Sequence, residues 1–119
     1  MTISDFRAAA RGKSAEVLGI GVSNLPLIDF LLSCGVRVRA RDKKSAGALG
    51  QTAIDLQNKG VILKLGEDYL EDIEGDYVFR SPGIRPDLPQ LQKALIKGAK
   101  LTSEMELGSL TAKENRKND

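Results

Sequence analysis

A run of apolar residues that ends in two glycines and then opens a helix is the most constraining feature of this chain: Val17-Leu18-Gly19-Ile20-Gly21-Val22-Ser23-Asn24-Leu25. A buried strand followed by such a turn offers free backbone N–H groups and the positive end of a helix dipole to an anion, typically a nucleotide diphosphate. Gly19 permits the tight turn, and Gly21 removes the side chain that would keep a phosphate from the backbone. Ser23 is placed to cap the helix, and Pro26 suits its first turn, where a missing N–H costs nothing. Asn24 stands where the G-x-G-x-x-G fingerprint has its third glycine. The match is therefore partial, and a merely structural turn stays open beside phosphate binding.

The rest of the chain alternates between two periods. Ala15 to Gly21 reads as a strand, and Leu25, Ile28, Leu31 and Leu32 recur at helical spacing until Gly35. Val36 to Ala40 alternates as a second strand and ends at Arg41-Asp42-Lys43-Lys44. Ala46, Leu49, Ala53, Ile54 and Leu56 predict one helix closed by Gly60, and Val61 to Leu65 a third strand. An acidic connector, Gly66 to Gly75, leads to a fourth strand, Asp76 to Arg80, which Ser81-Pro82-Gly83 ends because that turn cannot continue a ladder. Leu88, Leu91, Leu95 and Ile96 mark a helix stopped by Gly98, and Lys100 to Thr102 a fifth strand. Strict alternation predicts an α/β, Rossmann-like, doubly wound domain: about five mainly parallel strands with helices on both faces.

Composition narrows the function. The chain has 119 residues, 41% of them hydrophobic, enough for one core over residues 1–107 and not for two; residues 108–119 read as a polar tail. Eighteen basic residues interspersed with sixteen acidic ones give a net charge of +2, with no basic face or aromatic array for nucleic acid. A chain without histidine lacks the commonest general base and metal ligand, and no metal site or catalytic residue is expected. Cys34, the single cysteine, reads as a small core residue in a reducing compartment. The Leu25 to Val36 stretch is too short to span a bilayer and Met1 to Gly12 lacks an apolar signal core, so a cytoplasmic protein without membrane contact, and a monomer, is expected.

Ligands of this fold sit beyond the carboxyl ends of the strands. Three places there carry chemistry. The Gly19 to Asn24 loop is the first. The second is Asp42, about 20 residues past the glycines, where a carboxylate can accept from a ribose or base donor, or else serve as a cap or solvated turn residue near Ser45. Lys43 and Lys44 flank it. The third is Arg80-Ser81-Pro82-Gly83-Ile84, where Gly83 admits a close ligand and Arg80 either meets a phosphate or points to solvent.

Ser81-Pro82-Gly83-Ile84-Arg85-Pro86-Asp87-Leu88-Pro89, followed by Ser103-Glu104-Met105-Glu106-Leu107, resembles the amino-terminal domain of Mur ligases. With the Gly19-Ile20-Gly21-Val22-Ser23-Asn24 turn, the likeness is greatest to the members joining D-glutamate to UDP-N-acetylmuramoyl-L-alanine, and it covers Lys13 to Leu107. In that family this domain binds the UDP part of the substrate. The resemblance implies that Val22, Ser23 and Asn24 cradle the diphosphate, that Asp42 and Lys43 border the uracil, and that Gly83 in the Ser81-Pro82-Gly83 turn completes the wall. Arg80 is a local inference from its charge. The family uses ATP and magnesium in a central domain to make an acyl phosphate that D-glutamate attacks. The G-x-x-x-x-G-K-[ST] phosphate loop of that domain does not occur here.

The resemblance thus implies a substrate-binding domain without its central and C-terminal partners, inactive alone, with Gly108-Ser109 as an artificial or native boundary. The competing reading is an NAD(P)-binding module of a dehydrogenase or regulatory sensor, in which Asp42 holds the adenosine ribose; Asn24 counts against it. A degenerate domain that binds no nucleotide is the third.

Overall fold

The alternating period builds the expected sheet. In a computed structural model, which describes residues 3–21, 24–81, 84, 85 and 87–103, helix α1 (Ile3–Ala10) precedes β1 (Ser14–Leu18), α2 (Leu25–Ser33) and β2 (Arg37–Asp42). Helices α3 (Ala46–Leu49) and α4 (Gln51–Asn58) lead to β3 (Ile62–Leu65), and β4 (Tyr77–Arg80), α5 (Pro89–Ile96) and β5 (Lys100–Ser103) follow. All strand pairs are parallel, in the order β3-β2-β1-β4-β5. The order reverses between β1 and β4, the switch point at which an open α/β sheet leaves a crevice.

Side chains alternate across the sheet and make two cores. Ala15, Val17, Val38, Ala40 and Phe79 pack against Phe6 and Ala10 of α1, Ile28 and Leu31 of α2, and Leu56 of α4. Leu18 and Val78 turn to the other face, toward Leu91 and Ala94 of α5 and toward Leu70 and Ile73 of the β3–β4 connector. The doubly wound expectation is met, with helices on both faces.

Four local expectations need correction. Helix α1 is not foreseen by the strand-helix alternation; Phe6 anchors it, stacked 6.0 Å from Phe30 and tilted against Tyr77 at 5.6 Å. Strand β1 stops at Leu18, because Gly19 has φ 101° and cannot stay extended. The helix expected from Ala46 to Leu56 is two, broken at Gly50 with φ 61°. Strand β2 runs on to Asp42, with Arg41 inside the fold.

Arg41 is wholly buried, and its partner Glu16 on β1 is 2% exposed. The Arg41 Nε donates to Glu16 Oε2 at 2.5 Å. Its Nη1 donates to the carbonyls of Tyr69 (3.0 Å) and Glu71 (2.6 Å), and Nη2 to that of Asp72 (3.0 Å). A planar guanidinium with five donors suits this task, and a charge so buried requires such partners. One side chain thus ties β2 to β1 and to the acidic connector. Arg39 reaches Glu16 Oε1 at 3.3 Å from a half-buried position.

At the amino ends of the strands, Asp76 Oδ2 accepts from Ser14 N (3.0 Å) and Ser14 Oγ (3.2 Å). The Ser14 backbone N–H, chiefly, holds the Asp76 carboxyl below its usual range; slight burial opposes it, and Ser14 Oγ, Lys13 and Arg37 assist. Cys34 closes α2 as a buried thiol, which burial pushes up against the opposing influence of Arg7 and Ser33. It is a packed residue, as expected, and not a poised thiolate.

Two outcomes are expected in urea unfolding. Glu16→Ala, which strands the Arg41 charge, lowers stability by about 3–5 kcal/mol, whereas Arg39→Ala costs less than about 1 kcal/mol. Because the folded Asp76 value lies below the unfolded one, its contribution is complete above about pH 4 and is lost as pH falls through the folded value. Asp76→Asn therefore flattens the acid limb of the stability profile.

Candidate functional site

At the switch point, where this fold places its ligands, the loop after β1 meets the turn after β4. Ser81 N donates to Leu18 O (3.0 Å), and Ile84 N to Ser81 O (2.9 Å), beside the glycines. A Cβ on Gly19 would lie 3.1 Å from Ser81 Cβ and 3.6 Å from its Oγ. At φ 101° and against Ser81, any side chain there is strained and crowded. Gly21 differs. It is exposed, its φ lies outside the left-handed region, and a Cβ built on it meets nothing within 4 Å. Its bare backbone faces open space, as an approaching phosphate requires.

The loop is held from both sides by its own protein. Gly19 N donates to Arg41 O at 2.7 Å, and Ile20 N to Asp42 Oδ2 at 2.7 Å. Lys44 N donates to Asp42 Oδ1 at 2.9 Å, an Asx turn that also orients the carboxylate. Asn24, 4% exposed, donates through Nδ2 to Gly19 O at 2.6 Å, and its N–H donates to Gly21 O at 3.0 Å. The amide in the third-glycine position thus ties the loop to the helix start. Asn24 is the N-cap of α2 and makes no side-chain cap bond, with Pro26 in the first turn as expected.

The structure brings Gly19, Gly21, Asn24, Asp42, Arg80 and Ser81 to this end of the sheet, with Lys43 exposed beside Asp42. Val22, Ser23, Pro82 and Gly83 lie outside the described residues, as do Glu104 to Leu107. Arg80 is half-buried, and its Nη1 donates to Ile84 O at 3.1 Å, so one of its five donors braces the turn. The cap of α3 falls to Ser45, whose Oγ accepts from Ala48 N at 3.2 Å; Asp42 is therefore free of that duty. Among the described residues no cluster of three or more His, Cys, Asp or Glu side chains can hold a metal, and no helix is long and apolar enough to cross a membrane.

Residues 13–103 match the family model described as "Mur ligase MurD-like, N-terminal domain". A UDP-N-acetylmuramoylalanine--D-glutamate ligase from Clostridium novyi (strain NT) is 50% identical over 106 residues, 88% of this chain and 23% of the relative. The ligase of the same name from Clostridium kluyveri is 50% identical over 103 residues, 86% of this chain and 22% of its own length. That from Ruminiclostridium cellulolyticum is 46% identical over 106 residues. The chain thus spans less than a quarter of the length of these relatives. Among solved structures, shikimate dehydrogenase from Aquifex aeolicus matches with a TM-score of 0.53 at 18% identity, over 85% of this chain and 47% of that one. At that identity the likeness concerns the fold alone.

The two glycines respond differently to a methyl group. Gly19→Ala is expected to cost about 1–3 kcal/mol in urea unfolding, from the left-handed backbone and the Ser81 contact together. Gly21→Ala stays within about 0.5 kcal/mol of the parent.

Proposed function

Because the chain belongs to the Mur ligase MurD-like N-terminal domain family, we propose that it binds the UDP part of UDP-N-acetylmuramoyl-L-alanine for a peptidoglycan ligase that adds D-glutamate. The observation that carries this reading is the meeting of the glycine loop with the Ser81 turn at the sheet's switch point. Backbone N–H groups from Gly21 onward, including Val22 and Ser23, take the diphosphate, aided by the α2 dipole. Asp42 and Lys43 border the uracil. The Ser81-Pro82-Gly83 turn forms the opposite wall, and Arg80 brings positive charge to it. Asn24 contributes by holding the loop, since its Nδ2 already serves Gly19 O.

In this reading ATP and magnesium serve a central domain of the ligase and not this one. No phosphate loop of the G-x-x-x-x-G-K-[ST] form occurs in the sequence. The chain therefore binds and orients one end of the substrate, and amide formation falls to further domains. A cytoplasmic setting, with those domains as its partners, completes the reading. The dehydrogenase alternative rests on the shared sheet and on Asp42 at the end of β2, and the family match speaks against it.

Calorimetry with UDP tests the assignment. About two hydrogen bonds to the diphosphate, each worth about 1 kcal/mol net, make Gly21→Val at least about tenfold weaker. The variant folds, because the space beyond Gly21 is open. Unchanged affinity in a folded Gly21→Val chain would sink the site.

A further inference from the structure

We infer that Asp42 is a positioning residue for the diphosphate loop, and that its carboxylate physically joins the nucleoside and phosphate ends of the site. This rests on the UDP reading above and adds a division of labour within it. Of the loop's successive N–H groups, those of Gly19 and Ile20 are taken by the end of β2: one by Arg41 O, the other by Asp42 Oδ2, each at 2.7 Å. They are unavailable to a ligand. Gly21 is the next residue of the loop and its backbone lies in the open, so where it stands to meet an anion depends on how Ile20 is held. Asp42 is itself fixed by the Lys44 N–H and by its place as the last residue of β2, which its own carbonyl extends by accepting from Gly66 N at 3.0 Å. Each carboxylate oxygen keeps a lone pair for a further donor, so the group that holds the loop can also face the nucleoside.

Two opposed effects make this testable. A carboxylate beside a diphosphate repels it, so removal of the charge alone strengthens anion binding. Loss of the hold on Ile20 weakens it. A residue that read only the nucleoside would leave inorganic diphosphate unaffected.

The experiment uses the 119-residue chain, with Asp42→Ala and Asp42→Asn. Calorimetry follows inorganic diphosphate and UDP, and NMR follows hydrogen exchange at the Ile20 amide. In Asp42→Ala, diphosphate and UDP both bind at least about fivefold more weakly, and Ile20 exchange accelerates about tenfold. In Asp42→Asn, whose single amide oxygen can still accept from Ile20 while the Lys44 bond is lost, diphosphate binds at least about threefold more tightly than in Asp42→Ala. Diphosphate binding by Asp42→Ala that is unchanged or tighter overturns the proposal, as does an unprotected Ile20 amide in the parent chain. If the parent chain binds neither probe, the UDP reading fails and the ligand half of the proposal with it, while Ile20 exchange still judges the clamp itself.

Discussion

Two consecutive residues at the end of β2 fix the loop after β1 and the β3–β4 connector. Arg41 lies inside the fold, its guanidinium held by Glu16 and by three carbonyls of the β3–β4 connector. Its own carbonyl accepts from Gly19, and the next side chain, Asp42, accepts from Ile20. Alternation along a strand sends neighbouring side chains to opposite faces, so one dipeptide can secure an inward tether and an outward one at once. A buried ion pair is a weak source of net stability, because desolvation offsets much of the attraction. Its consequence here is positional: the strand that carries Asp42 cannot slide without breaking four bonds to Arg41.

The crevice follows from that register. Gly19 sits close against Ser81, where a Cβ would be crowded, and this brings the two connecting loops together at the switch point. Gly21, two residues on, has no such neighbour and leaves its backbone open. Close packing behind the loop and open space before it are what a phosphate site needs: donors fixed in advance, at little cost of ordering when the ligand arrives. Asn24 does on this loop what a third glycine does elsewhere, by a different means. A glycine lets the helix approach the strand, whereas the buried Asn24 amide ties the helix start to Gly19 O.

Much of this was legible in the residues. Glycines at the ends of apolar runs marked where strand passes to helix, and Gly35, Gly60 and Gly98 all take positive φ where helices were expected to stop. The alternation of periods gave the doubly wound sheet. Other features were hidden for physical reasons. Arg41 stands in a row of charged residues that looks solvated, and only tertiary packing reveals that three connector carbonyls and Glu16 surround it. The signal was faint: Glu16 is a lone acid in the middle of an apolar strand. Helix α1 carries few large apolar residues, and Phe6 with Ala10 one turn later was the trace of its buried face. The backbone partner of Asp42, Ile20, is distant in sequence, so no spacing rule reaches it.

Chemical-shift titration of the isotopically labelled chain with UDP-N-acetylmuramoyl-L-alanine, UDP and NAD in parallel tests the central claim most directly. The account predicts saturable shifts with both uridine compounds at the amides of Gly21, Lys43 and Ser81, and none with NAD. Shifts at those amides with NAD alone, or silence with all three compounds, would contradict it.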